Sequence, residues 1–281
     1  MLSYRHAFHA GNHADVLKHA IEVLLLQHLG QKDAPYWYID THAGAGLYAL
    51  DEGYASQNAE FAAGIARLWQ RDDLPPALRP YLEVVEGFNP DGRLTRYPGS
   101  PLVADRVMAQ SGKLRLFELH PSDHRLLQDN FAGRHRRCLI QQTDGFEGIK
   151  AILPPPPRRA LVLIDPPYED KQDYLRVPVA LAEGLKRFAT GVYAVWYPLL
   201  QRAEMRALPD ALKKLPVKRW LDVTLTVRRP SADGFGMHGS GMFIINPPWT
   251  LAETLTETLP WLTEALALDA GATHTLRYQG D

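Results

Sequence analysis

Asp165-Pro166-Pro167-Tyr168 is the segment of this 281-residue chain with the clearest chemical use. An acid, two prolines and an aromatic suit the exocyclic amine of a nucleobase, a poor nucleophile because its lone pair is delocalised into the ring. A carboxylate and a backbone carbonyl accepting its two hydrogens favour a pyramidal nitrogen whose lone pair points at a methyl donor. The prolines set the turn, and Pro166 has no amide hydrogen of its own to compete. Tyr168 is expected to stack on the base, the usual treatment of an extruded nucleotide. A sulfonium methyl already carries a good leaving group, so alignment supplies most of the catalysis. Asp165 is therefore the candidate catalytic carboxylate, with Pro166 and Tyr168 as candidate substrate-binding residues. The plainer reading is a strand ended by Asp-Pro with a solvent-side tyrosine.

Other segments bear on a cofactor. Gly44-x-Gly46-x-x-Ala49 follows a strand and reads as a nucleotide loop, whereas Gly234-x-Gly236-x-x-Gly239 precedes a strand, opens no helix and reads as a decoy. Glu118 ends the next convincing strand, where a carboxylate suits two ribose hydroxyls in either NAD or S-adenosylmethionine. A nicotinamide oxidoreductase thus stays open on these two features alone. Asp144-Gly145 closes a third strand, the position that meets the cofactor's adenine amine in this architecture. Lys18 and His19, just upstream of the glycine loop, are in reach of the amino-acid end of a cofactor. Asn246-Pro247-Pro248-Trp249 repeats the acid-or-amide, Pro, Pro, aromatic pattern after the last expected strand, where strand termination explains it. His6, His9, His13 and His19 crowd the N-terminus, but their spacing fits no known zinc pattern, so no metal is expected.

The elements that must position these groups read as a strand–helix alternation. A helix is expected from about Asn12 to Leu29, with Asn12 as N-cap, then an aromatic strand at 36–40. The next strand is 114–118, too far on for one crossover helix. Residues 47–99 are therefore expected to be a helical insertion, with one amphipathic stretch through Phe61, Ile65, Leu68 and Trp69 and another after Pro75-Pro76. Further strands are expected at 138–142, 160–164, 191–196, 220–227 and 242–246, and helices at 122–131, 171–188 (bent at Pro178) and 202–214. A last helix opens with Thr250 and Glu253 in capping-box spacing. The sum is an α/β, Rossmann-like class I methyltransferase fold with a seven-stranded, mostly parallel sheet and an antiparallel last strand. Residues 1–46 and 100–281 form the expected main domain.

Composition narrows the class. The chain is 46% hydrophobic and 22% charged, an ordinary globular balance, with 31 Lys+Arg against 32 Asp+Glu. That near-neutral charge argues against a non-catalytic nucleic-acid coat and leaves an enzyme with a local basic face. One cysteine, Cys138, excludes a disulfide framework and fits a reducing compartment. With no apolar run long enough to span a bilayer and no leader pattern, a cytoplasmic protein is expected.

Taken together, these residues resemble one bacterial family, the 23S ribosomal RNA adenine-2030 N6-methyltransferases (large subunit methyltransferase J type). The resemblance runs through Ser3-Tyr4-Arg5-His6, Phe8 to Asn12 and Ala14 to His19. It continues in Asp40 to Gly44, Tyr97 to Pro101, Glu118 to Pro121, Asp144-Gly145, Asp165 to Glu169 and Ser240 to Met242. It implies that His19, His42, Ser100, Glu118, Asp144, Gly145 and Asp165 line an S-adenosylmethionine site beside the Gly44 loop, with Lys18 nearby, and that Tyr4 meets the target nucleotide. It further implies a metal-independent monomer acting on protein-poor 23S ribosomal RNA during ribosome assembly. Guanine-N2 methylation is the rival within the same fold, because an Asp-Pro-Pro-aromatic turn serves there too.

Overall fold

Asn12 starts the first long helix as the sequence predicts: its side-chain oxygen accepts from the backbone N–H groups of Ala14 and Asp15 and caps α1 (His13–Gly30). This computed structural model describes residues 6–51, 59–134 and 136–280. α1 is buried on most of its surface, polar residues Asp15, Lys18, His19 and Glu22 included. Those four need partners inside the protein, which brings a helix flank into the functional site.

β1 (Trp37–Asp40) lies between β4 (Lys113–Phe117) and β6 (Ala160–Ile164), parallel to both. β5 (Cys138–Gln141) extends the sheet beyond β4, and β7 (Val192–Leu199) extends it beyond β6. β9 (Gly239–Ile245) then runs antiparallel between β7 and β8 (Trp220–Thr226). Among the described residues the sheet has eight strands rather than seven, because β10 (Thr273–Gln279) pairs antiparallel with the outer edge of β8. β10 keeps most of its side chains in water and is held by backbone pairing, so it lacks the alternation that announces a half-buried strand. The full order is β10-β8-β9-β7-β6-β1-β4-β5. Strand order reverses between β1 and β6, and the open crevice lies past their carboxyl ends.

Alternate residues of β6 feed two cores. Leu161 and Leu163 face α1 and α8 (Leu251–Leu266), while Val162 and Ile164 face α5 (Gly145–Ile152), α6 (Asp173–Arg187) and α7 (Ala203–Lys213). α5 and α3 (Ser100–Val107) are eight residues each, too short for periodicity to signal. α4 (Pro121–Asn130) follows β4. At α8 the anticipated capping box does not form: Thr250 is itself helical and its side chain makes no cap bond.

Between β1 and β4, β2 (Leu47–Ala49) and β3 (Arg96–Pro98) form a small antiparallel ribbon, and α2 (Arg79–Glu86) lies between them in sequence. The stretch from Phe61 to Trp69 is a pair of 3-10 turns, Glu60–Ala63 and Ile65–Arg67, rather than an amphipathic α-helix. Gly64 separates them and lies against the backbone of Gly11 and Asn12, where a Cβ would come within 2.1 Å of the Gly11 carbonyl oxygen. Ile65 donates its N–H to that same oxygen, so docking on the entry to α1 replaces a helical hydrogen bond.

Candidate active site

The turn after β1 forms the floor. Asp40 is fully buried and accepts from the Tyr38 and Ser100 hydroxyls and the His42 N–H. Burial nonetheless pushes its carboxyl up to about 6. Gly44 follows at φ +62, a conformation that favours glycine, and a Cβ there would meet the Tyr48 hydroxyl at 2.3 Å. Its N–H donates to Glu118 at the end of β4, and the His120 N–H donates to the other oxygen of the same carboxylate. Burial outweighs both donors and raises Glu118 to about 7. Asp144 caps α5 by accepting from the Phe146 N–H and pairs with Arg176 of α6. That guanidinium outweighs burial and keeps the Asp144 carboxyl below its usual range.

Asp165, directly after β6, completes the site. Its Oδ2 accepts from Lys18 Nζ at 2.6 Å, and the same ammonium lies 2.9 Å from Asp15 Oδ1 one turn earlier on α1. Asp15 Oδ2 accepts from the Gly11 N–H and meets His6 Nε2 at 2.9 Å. Burial alone would depress the Lys18 ammonium, but the two carboxylates hold it well above the usual lysine value. Asp15, fully buried, is likewise held well below the usual range, with His6 and Lys18 outweighing desolvation. The result is a chain of polar contacts, His6–Asp15–Lys18–Asp165, that fixes the Asp165 carboxyl at the crevice. Asp165 Oδ1 makes no hydrogen bond among the described residues.

The structure brings Lys18, His19, His42, Gly44, Ser100, Glu118, Asp144, Gly145, Asp165 and Pro166 to the wall of one crevice of about 630 Å³, within the size range of small-molecule sites. Two of the expected contacts differ. Lys18 directs its ammonium to Asp15 and Asp165. Tyr168 is not on the wall: it is 2% exposed, adopts φ +53, packs on Tyr174 and Trp196, and donates its hydroxyl to the Trp196 carbonyl. The left-handed backbone after Pro167 turns the ring inward, so in this conformation it does not present a face to a base. Tyr4 lies outside the described residues. Asn246 at the amino edge of the parallel strands donates to the carbonyls of Ala189 and Gly191, leaving Trp249 in solvent, as strand termination requires.

The motif reading missed Asp15, Arg176 and His120. Asp15 was visible only as the acid three residues before Lys18, and Arg176 is joined to Asp144 across 32 positions by the crossover fold. The crevice suits a polar, nucleoside-bearing molecule. Among the described residues, His19 Nε2 and His120 Nδ1 are buried on its wall without a hydrogen-bond partner, and the glycine at position 44 keeps the loop free of a side chain.

A family model described as ribosomal RNA large subunit methyltransferase D, RlmJ, matches residues 33–277. The chain belongs to that family. It is 49% identical over 274 residues to the ribosomal RNA large subunit methyltransferase J of Escherichia coli, covering 98% of this chain and 97% of that one. The Haemophilus influenzae protein of the same name is 43% identical, covering 99% of each chain. A solved structure of a Legionella pneumophila protein superposes with a TM-score of 0.89 at 33% identity, over 97% of this chain and 99% of that one. Membership bears out the resemblance and the Rossmann-like fold, with the eighth strand as the correction. Lys18 and His19 fall before the matched model, but the two curated relatives align across nearly the whole chain.

Proposed function

We propose that this member of the RlmJ family transfers a methyl group from S-adenosylmethionine to the exocyclic N6 of one adenine in 23S ribosomal RNA, adenine 2030 by the resemblance. The observation that carries the reading is Asp165, a carboxylate at the switch point of the sheet, held by Lys18 through one oxygen with the other left to accept. S-adenosylmethionine, when bound, supplies an electrophilic methyl with its own leaving group. Glu118 would accept from ribose hydroxyls, Asp144 from an adenine amine, and His19, His42, Ser100 and Gly145 would enclose the rest. Lys18 fixes the orientation of Asp165. Asp165 Oδ1 and the Pro166 carbonyl would accept the two hydrogens of the target amine and turn its lone pair out of the ring plane, so that positioning lowers the barrier, and the methylated nitrogen would then release one of those hydrogens as a proton to Asp165 Oδ1 and on to solvent. The substrate would be protein-poor large-subunit RNA, and the enzyme a monomer.

The test is a tritiated-methyl assay on deproteinised large-subunit RNA, followed by digestion and mass identification of the nucleoside. N6-methyladenosine supports the reading, and N2-methylguanosine would replace it with the guanine chemistry. Asp165→Ala should bind S-adenosylhomocysteine within about threefold of the parent while losing methyl transfer by a factor on the order of a thousand. Turnover within tenfold of the parent would remove Asp165 from the chemistry.

A further inference from the structure

The loop joining β8 to β9 is the decoy glycine segment, and the proposed function makes no use of it. Its tip, Phe235, is 78% exposed between Gly234 and Gly236, both with left-handed backbones (φ +80 and +84). A Cβ on Gly234 would touch nothing, so glycine is needed there for conformation and not for space. The loop is braced below its tip. Asp233 accepts from the Ser231 hydroxyl and the Phe235 N–H, Arg228 donates to the Met237 carbonyl, and His238 donates to the Leu199 carbonyl. An aromatic ring is thus held in solvent on an ordered support.

Its location follows from sheet register. Ile164 pairs with Val195, while β7 runs on to Leu199, which pairs with Gly239, itself opposite Thr226. The loop therefore starts about 10 Å beyond the level of Asp165 and roughly 14 Å to the side, three strands away, on the same edge of the sheet. Arg228 and Arg229 open the loop just after β8, Arg202 follows the end of β7 by three residues, and none of the three makes an ion pair among the described residues. Among the described residues Phe235 is the one large exposed apolar side chain of the loop, so the loop itself carries no greasy patch of the kind a protein partner covers. One solvent-held ring on a braced loop that begins with two arginines matches single-stranded nucleic acid, with phosphates on the arginines and a base on the ring.

Building on the rRNA-methyltransferase reading, we propose that Phe235 is a stacking finger. It holds a nucleotide flanking the target, outside the crevice, while the target base is extruded towards Asp165. The finger touches neither cofactor nor reacting atoms and acts as a positioning residue.

The experiment compares Phe235→Ala, Phe235→Leu and Phe235→Trp with the parent in the RNA methylation assay, with S-adenosylhomocysteine affinity as the check on folding. Phe235→Ala and Phe235→Leu should raise KM for deproteinised RNA about tenfold, the scale of one lost base–aromatic stack. In both, kcat and cofactor affinity should stay within about twofold, and Phe235→Trp should match the parent. An unchanged KM in Phe235→Ala would overturn the proposal, as would full activity in Phe235→Leu, since leucine is apolar without a stacking face. A defect seen only on protein-bearing ribosomal particles would reassign the finger to a protein contact. Those three results leave the methyltransferase reading standing. A parent enzyme that binds S-adenosylhomocysteine but labels no RNA would instead remove that reading, and this one with it.

Discussion

Glu118 shows how a single ionisation would govern cofactor binding. Its carboxylate accepts two backbone N–H groups, yet burial raises it to about 7, so its ionisation moves into the neutral range. Ribose hydroxyls that donate to it need the ionised form. S-adenosylhomocysteine affinity should therefore fall as pH is lowered through 7, by up to about tenfold per unit, and level off at higher pH. Titration calorimetry from about pH 5.5 to about 8.5 measures this, and Glu118→Gln should flatten the curve. A flat profile in the parent would detach Glu118 from the ribose. Folding carries the opposite sign. A carboxyl raised in the folded state contributes stability below its unfolded value, and that contribution is lost as pH rises through about 7.

At the scale of elements, the start of α5 is set by one close approach. Gly145 faces the Thr41 carbonyl, and a Cβ there would come within 2.0 Å of its oxygen and 2.6 Å of its carbon. Alanine gains about 1 kcal/mol of helix propensity, but overpacking against backbone costs about 1–3 kcal/mol and neither partner is a flexible side chain. A 2.0 Å approach to a backbone oxygen puts Gly145→Ala at the upper end of that cost, so it should destabilise the protein by about 2 kcal/mol, read as a lower urea midpoint at unchanged slope. It should also weaken S-adenosylhomocysteine binding, because Asp144 caps the same helix. An unchanged midpoint would mean that α5 slides freely on the β1 turn. What the sequence made legible follows this scale. Strand ends and their acids, Glu118, Asp144 and Asp165, were readable because apolar runs stop at them. α5 and β10 were not, one too short and the other too exposed to show a period. Nor was the inward turn of Tyr168, which depends on a left-handed backbone at a non-glycine residue. Lys18 was found, but its partner lies 147 positions away, and only the α1–β6 packing reveals it.

For the whole molecule, residues 47–99 raise the question of whether the insertion between β1 and β4 folds as a unit of its own. Its apolar residues Ile65, Leu68, Leu78, Tyr81, Leu82 and Val85 belong to the same buried cluster as Leu17, Ile21 and Leu25 of α1 and Leu259 and Leu262 of α8. Polar ties cross the same boundary: Arg67 donates to the Ala267 carbonyl and the Trp261 indole N–H to Asp73. An excised insertion would expose most of that surface, and a segment of this size has too little core left to fold alone. The insertion and the sheet should therefore melt together. Calorimetry is expected to show one transition. S-adenosylhomocysteine at a hundred times its Kd should move it up intact by about 5 °C, since ligation adds about 2.7 kcal/mol to the folded state. A second, lower peak that ignores the ligand would mark the insertion as an autonomous domain. The α1 contacts that carry Lys18 to Asp165 would then have to be held by the sheet alone.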